Sequence, residues 1–128
     1  MDKMLGLLNS LFPNGNATNV GPNKWVFRKG SATIRVKIIK GAESVWFSVD
    51  SEIMKIPNQN LLRFYRKLLE LNGPATFGTF FNIHNETLLV SALRPVKGLE
   101  PEEIESIVTI VAEVADKYDD ELKVMFKG

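Results

Sequence analysis

The side chains that most often carry out chemistry in proteins are scarce in this chain. His84 is the only histidine, and there is no cysteine. Disulfides, thiolate metal sites and cysteine nucleophiles are therefore excluded, and any histidine-based metal site or catalytic pair would depend on His84 alone. His84 stands beside Asn85 between two apolar runs, a context typical of a hairpin turn. We interpret it as a solvent-exposed turn residue.

Acidic clusters are the other candidates for a metal site or for an acid and base pair. The run Asp119-Asp120-Glu121 could offer oxygen ligands to a hard cation, but consecutive residues on a helix point in different directions. The four glutamates between residues 100 and 105 flank a predicted helix start, where negative charge stabilises the positive end of the helix dipole. No glycine-rich phosphate loop is present either. The sequence therefore predicts a protein that is not an enzyme and has no cofactor or metal.

The composition is that of one packed domain spanning residues 1–128. Hydrophobic residues make up 45% and charged residues 24% of the 128 residues, which favours a single core. Lysine and arginine total 16 against 15 acidic residues, for a formal charge of +1, so there is no general attraction to nucleic acid or to an anionic membrane. The lack of cysteine, and of any run near the roughly 20 apolar residues of a membrane span, favours a cytoplasmic protein without a membrane partner.

The hydrophobic periodicity predicts an α+β fold. An N-terminal pattern of helical spacing, interrupted by Gly6 and Asn9 and so unlike a signal peptide, ends at Pro13-Asn14-Gly15, where proline lacks a donor and glycine accepts positive φ. The predicted elements are a helix over 1–12, a polar loop to 23, strands over 24–29, 32–38 and 45–50, a helix capped by Asn58 over 59–71, strands over 77–83 and 87–93, and a helix over 101–125. The order α-β-β-β-α-β-β-α indicates a mainly antiparallel five-stranded sheet packed by helices.

Large apolar side chains fall on both faces of this predicted sheet. If Phe47 and its alternate neighbours face the helices, Trp46 faces the other way, on a surface shared with Arg35 and Lys37 of the preceding strand. The same alternation places Phe80, Leu89 and Leu93 away from Phe77, Phe81, Leu88 and Val90. Exposed apolar groups in a contiguous patch usually mark an interface. A helix of the same chain covering this second face is the alternative.

The predicted helix over 59–71 has the same ambiguity. Its seven apolar residues, including the adjacent Phe64 and Tyr65, are more than a helix with one buried face requires. We expect most of them in the core and some of them, with Phe64, Tyr65 and Leu68 as candidates, at a dimer contact.

Three stretches of the chain together resemble a known family. They are Leu61 to Asn72, Arg94 to Ile104 and Ala115 to Leu122. They look like the YbjN-like bacterial domains of the type III secretion chaperone-like (CesT-type) superfamily, and the likeness covers about Lys24 to Phe126. The resemblance implies an antiparallel sheet packed by helices, a homodimer and, in the secretion branch, binding of an extended partner segment along apolar patches and exposed sheet edges.

The leading hypothesis is a homodimeric, chaperone-like or regulatory module that binds a segment of an unidentified protein partner. Its candidate surfaces are the helix with its flanking residues, Asn58 to Asn72, and the sheet face with Trp46, Phe80 and Leu89. The rival is single-stranded nucleic-acid binding, with cations on that face beside Trp46 and Trp25 as stacking platforms; the cations are Arg28, Arg35 and Lys37. The near-zero net charge argues against the rival.

Overall fold

The computed structural model describes residues 3–126, which form a six-stranded sheet with three α-helices against one of its faces. The elements in chain order are α1 (Lys3–Leu11), β1 (Thr18–Gly21), β2 (Lys24–Lys29), β3 (Ala32–Lys40), β4 (Val45–Lys55), α2 (Leu61–Leu71), a short 3₁₀ helix (Pro74–Thr76), β5 (Phe80–His84), β6 (Thr87–Pro95) and α3 (Pro101–Met125). The predicted start of the first helix at Met1 lies outside the described residues.

The strands are ordered β1-β2-β3-β4-β6-β5, and each neighbouring pair is antiparallel. Consecutive strands pair directly except where β4 is followed by α2 and β5, because β6 takes the place beside β4. The eleven-residue β4 is therefore central, and β1 and β5 form the two edges. The mainly antiparallel α+β architecture expected from the periodicity is confirmed, with six strands instead of five.

The core lies between one sheet face and the helices. The alternate residues Trp25 and Phe27 of β2 and Phe47 and Val49 of β4 are buried there, as period-two patterning requires. The apolar stripe of α3 packs against them and includes Val108, Val111, Ala115 and Leu122. Aromatic pairs join the layers, among them Phe12 stacked on Phe27 with ring centroids 5.0 Å apart.

The sixth strand, β1, falls in the segment that the sequence indicated as a polar loop. Its residues Thr18 to Val20 are exposed, so no alternation of buried and exposed side chains marks it. It is held by backbone pairing with β2, in which Thr18 lies opposite Val26. An edge strand that buries little side-chain surface leaves no hydrophobic period to detect.

The starts of two elements were also predicted wrongly, and three strands extend beyond their predicted ends: β3 to Lys40, β4 to Lys55 and β6 to Pro95. Helix α2 begins at Leu61 after Asn60, which has φ 59° and no side-chain cap, and not after Asn58. Strand β5 begins at Phe80, because Pro74–Thr76 form a 3₁₀ turn and Phe77 adopts φ 53°. The turn uses proline at its first position, and it leaves Phe77 exposed instead of placing it on the sheet.

Gly15, which follows α1, is required because of close packing and not because of a positive φ. A Cβ atom at this position would lie 2.7 Å from the carbonyl oxygen of Arg28, which is closer than side-chain carbons approach. The Gly15 carbonyl accepts a 2.9 Å hydrogen bond from the Arg28 N–H. The glycine therefore lets the chain after α1 pack directly against β2.

Candidate protein-binding surfaces

The sheet face away from the helices is the first candidate surface, and we call it the open face. It carries Arg35 and Lys37 of β3, Trp46 and Asp50 of β4 and Phe80 of β5, together with the residues that alternate with the buried core positions. No helix within residues 3–126 covers this face, so the alternative of a covering helix is wrong for the described chain. The predicted grouping of Trp46, Arg35 and Lys37 on one surface is confirmed.

A buried carboxylate lies at the centre of the open face. The Nε of Arg35 donates to Oδ1 of Asp50 at 2.6 Å, and the Nζ of Lys37 lies 3.8 Å from Oδ2. The Asp50 side chain is 6% exposed, whereas those of Arg35 and Lys37 are about one third exposed. Asp50 thus fixes the cationic side chains in place, since a hydrogen bond between charged groups is stronger than one between neutral groups. On the neighbouring strand β6, the Oγ of Ser91 donates to Oδ1 of Asn82 at 2.6 Å.

A shallow cavity of about 230 Å³ lies beside this carboxylate. Phe80 and Leu93 contribute apolar walls, and Lys37 and Ser48 contribute polar ones. Leu93 is 50% exposed. The open face therefore offers an apolar recess next to positive charge.

The second candidate surface is the outer side of α2 with the neighbouring edge of the sheet, and we call it the α2 surface. Leu62 and Leu69 are 85% and 73% exposed, and Tyr65 and Ile83 are exposed beside them. A cavity of about 160 Å³, bounded by Tyr65, Leu69 and Ile83, lies between α2 and β5. Leu62, Tyr65 and Leu69 recur at helical spacing and form one stripe.

The edge strand β5 also places outward-pointing backbone groups beside the α2 surface. The N–H of Phe81 points out of the sheet and donates to Oδ1 of Asn72 at 2.7 Å. Because antiparallel pairing alternates along a strand, the backbone of Ile83 also points outward, where residues 3–126 supply no strand to pair with it. An apolar stripe beside an open strand edge is a surface on which another chain can pack.

Three of the predicted interface residues are in the interior. Phe64 has no exposed surface and packs edge-on against Phe126, and Leu68 is 6% exposed. Leu89 is on the open face but only 5% exposed. Phe64 and Leu68 are therefore on the buried side of α2, and composition alone does not tell which of its two apolar sides is buried. Leu68 and Leu89 contribute only a small exposed area to the cavities that they line. Tyr65, Trp46 and Phe80 remain partly accessible.

Sequence reasoning missed the exposed members of the α2 surface. Leu62 and Leu69 were among the seven apolar residues of the predicted helix but were not named as interface candidates, and Ile83 was identified only as the end of a predicted strand. A signal was present in the spacing: Leu62, Tyr65 and Leu69 lie on one side of a helical wheel, and Phe64 and Leu68 on another.

The candidate chemical residues remain dispersed. His84 is exposed at the end of β5, and a ring nitrogen lies 3.1 Å from the side-chain nitrogen of Asn85. The turn after it, Asn85-Glu86, has positive φ at both residues, as a two-residue hairpin turn of type I′ requires. Asp119 pairs with Lys123 at 2.6 Å. Within residues 3–126 no three side chains of the metal-ligating types converge, and no helix there is long and apolar enough to span a membrane.

The architecture of the chain defines its fold class. The antiparallel sheet packed by helices has the type III secretion chaperone-like fold, as the match to solved structures shows. A chain in "Structure of the heterodimeric complex ExoU-SpcU from the type III secretion system (T3SS) of Pseudomonas aeruginosa" matches with a TM-score of 0.66 and 10% identity, over 89% of this chain and 93% of that one.

Within that class, the chain belongs to the YbjN family. The family model, described as "Putative bacterial sensory transduction regulator", matches residues 25–123. A chain of the ExsC–ExsE complex matches with a TM-score of 0.66 and 12% identity, over 94% of this chain and 96% of that one. YbjN from E. coli matches with a TM-score of 0.52 and 14% identity, over 91% and 92%. No curated protein matches in sequence. The resemblance predicted from the three sequence stretches is confirmed.

Proposed function

We propose that this protein is a non-enzymatic, chaperone-like or regulatory module of one domain that acts in the cytoplasm as a homodimer and binds a segment of a partner protein. The observation that carries the proposal is the presence of two separate accessible surfaces, the α2 surface and the open face. One surface is available for self-association while the other remains free for a partner.

The α2 surface supports the dimer. Leu62 and Leu69 are large, exposed and aligned, and such contiguous apolar patches mark interfaces in soluble proteins. A two-fold axis through this surface would bring the same stripe of the second copy against it, as a self-complementary interface requires. The free edge of β5 would then lie next to the partner's α2 surface.

The open face supports the binding of a protein segment. Trp46 and Phe80 are partly exposed there and Leu93 is half exposed, all without a covering element in the described chain. The structural neighbours include chains from two protein complexes, ExoU–SpcU and ExsC–ExsE. A segment-binding role for this chain agrees with both observations.

The experiment is capture of partners from the native lysate by tagged protein, with quantitative mass spectrometry. We expect proteins retained by the wild type to be lost in a Trp46→Asp/Leu93→Asp variant and kept in Val20→Asp, which alters an exposed valine on the far edge strand β1. Identical sets of retained proteins for all three forms would contradict segment binding at the open face. Circular dichroism verifies that each variant is folded.

Single-stranded nucleic-acid binding is the second candidate, and the cationic residues of the open face favour it. Arg28, Arg35 and Lys37 do share this face. Trp25, however, is 6% exposed on the opposite, helix-covered side, so it cannot serve as a stacking platform as expected. Absence of a mobility shift with single-stranded oligonucleotides at low salt would remove this candidate.

A further inference from the structure

The open face has an excess of positive charge on one half. Strands β2 and β3 place four cationic side chains on it, in positions that alternate with buried core residues. These are Lys24, Arg28, Arg35 and Lys37. The near-neutral net charge of the chain hides this excess, because α3, on the other side of the sheet, has eight acidic residues and only two lysines. The molecule is therefore electrically polar, with a basic sheet and an acidic helix.

The positive charge of the open face is only partly neutralised. Asp50 pairs closely with Arg35 and lies farther from Lys37. No carboxylate within residues 3–126 forms an ion pair with Lys24 or Arg28. In addition, Lys24 lies directly opposite Lys37 in the β2–β3 register, and like charges in that position destabilise a strand pair. An anionic group bound between the two lysines would relieve this repulsion.

Leu93, which contributes to the apolar recess, lies two strands away from Lys37. A single row across the sheet runs from Lys24 through Lys37 and Ser48 to Leu93. The distance from Lys37 to Leu93 is therefore two strand spacings, roughly 10 Å. The cavity of about 230 Å³ that Leu93 shares with Phe80 also includes Lys37. One bound segment can thus contact both the cations and the apolar recess.

We propose that the open face binds an acidic, amphipathic segment of a partner protein, with its carboxylates on Lys24, Arg28 and Lys37 and an apolar side chain between Phe80 and Leu93. The inference rests on the proposed function, protein-segment binding, and adds the chemical class of the segment. Complementary charge orients such a segment and speeds its association.

A protein segment fits this face better than a nucleic acid does. Trp46 and Phe80 are the aromatic side chains of the open face within residues 3–126, and they stand on β4 and β5 with β6 between them. Stacking of successive bases needs rings along the path of the strand. The acidic α3 also cancels the long-range attraction that a polyanion would otherwise feel.

Fluorescence anisotropy with labelled twelve-residue probes tests the proposal. The first probe repeats Glu-Leu-Asp-Phe, the second replaces its acidic residues by lysine, the third repeats Glu-Ser-Asp-Gly, and the fourth is an oligothymidylate of equal length. We expect saturable binding of the first probe, weakened at least about tenfold from about 50 mM to about 500 mM NaCl because exposed charges are screened. The second and third probes should bind at least about tenfold more weakly at low salt, since each lacks one half of the complementary surface.

Charge-reversal variants locate the binding. Lys24→Glu/Arg28→Glu should raise the dissociation constant of the first probe at least about tenfold, and Leu93→Ser should raise it as well. The matched control is Lys3→Glu/Lys117→Glu, which makes the same change of net charge on α1 and α3, away from the open face. It should leave the dissociation constant of the first probe within about twofold, because exposed charges far from the bound segment are screened. Lys24→Gln/Arg28→Gln removes the positive charges without adding negative ones, so it should weaken binding of the first probe by an intermediate amount. It replaces the Glu variant in this test if that variant folds poorly.

Four results would overturn the proposal: no binding of the first probe, equal binding of the lysine probe, equal loss in the test and control variants, or tighter binding of the oligothymidylate. If the first probe fails but the tagged protein still retains a partner that Trp46→Asp/Leu93→Asp loses, the acidic class is wrong and segment binding stands. If both readouts fail, both ideas are wrong.

Discussion

Asp50 shows how one residue prepares a surface without itself being accessible. Its carboxylate is almost fully buried on a sheet face that no described helix covers, and it holds Arg35 at 2.6 Å. A buried carboxylate is tolerated only where charge and hydrogen bonds compensate its lost hydration. We infer that Asp50 keeps the neighbouring cations extended across the open face.

Replacement of Asp50 by alanine should lower the free energy of unfolding by about 1–3 kcal/mol, since it leaves Arg35 without its partner. Asp119→Ala is the matched control, because Asp119 forms a partly exposed ion pair with Lys123 one turn along α3, and such pairs contribute about 0.3–0.5 kcal/mol. Urea unfolding followed by circular dichroism measures both. Equal losses in the two variants would contradict a structural role for the buried pair.

At this scale the sequence predicted which face a side chain is on better than how deeply it is buried. The period of two correctly grouped Trp46 with Arg35 and Lys37. It could not show that Leu89, on the same face, is covered by its neighbours, or that Phe64 is in the core, because burial depends on contacts between elements distant in the chain.

Among the elements, α2 decides whether the proposed dimer surface exists. One side of the helix enters the core through Phe64 and Leu68, and the other presents Leu62, Tyr65 and Leu69. A helix with apolar residues on both sides gains stability from only one of them in the monomer. The exposed side is then available for a second chain.

A pair of alanine variants separates the two sides of α2. Phe64→Ala should destabilise the fold by about 3–5 kcal/mol, as truncation of a buried aromatic residue does. Leu62→Ala, at a position 85% exposed, should change the stability of the monomer by about 0.5 kcal/mol or less. Chemical denaturation at nanomolar protein concentration, where a weak dimer dissociates, provides the comparison. Similar destabilisation by both changes would show that the described orientation of α2 is wrong.

Elements with a buried, periodic face were predicted and those without one were not. Helix α3 begins at Pro101 and extends to Met125 as its apolar stripe and proline indicate. Strand β1 was not predicted because its side chains are exposed. The predicted start of β5 was three residues too early, because Phe77 is apolar but lies in a turn. Backbone pairing and turn geometry determine these segments, and neither leaves a hydrophobic period.

In the proposed function, the whole molecule combines an edge surface for self-association with a charged open face for a partner. The α2 surface includes the edge strand β5, and the basic half of the open face is on β2 and β3 toward the opposite edge. A dimer formed through the α2 surface would therefore leave both basic halves accessible at its ends. This division of the surface is the central claim of the account.

The most direct measurement of that claim is the particle mass by multi-angle light scattering at micromolar concentration. We predict about 29 kDa for the wild type, twice the 14.4 kDa of one chain, and the mass of a monomer for Leu69→Asp, which introduces charge into the α2 surface. Val20→Asp, an equivalent change on the far edge strand, should remain dimeric. A wild type of 14.4 kDa, or a dimer that Leu69→Asp leaves intact, would contradict the account.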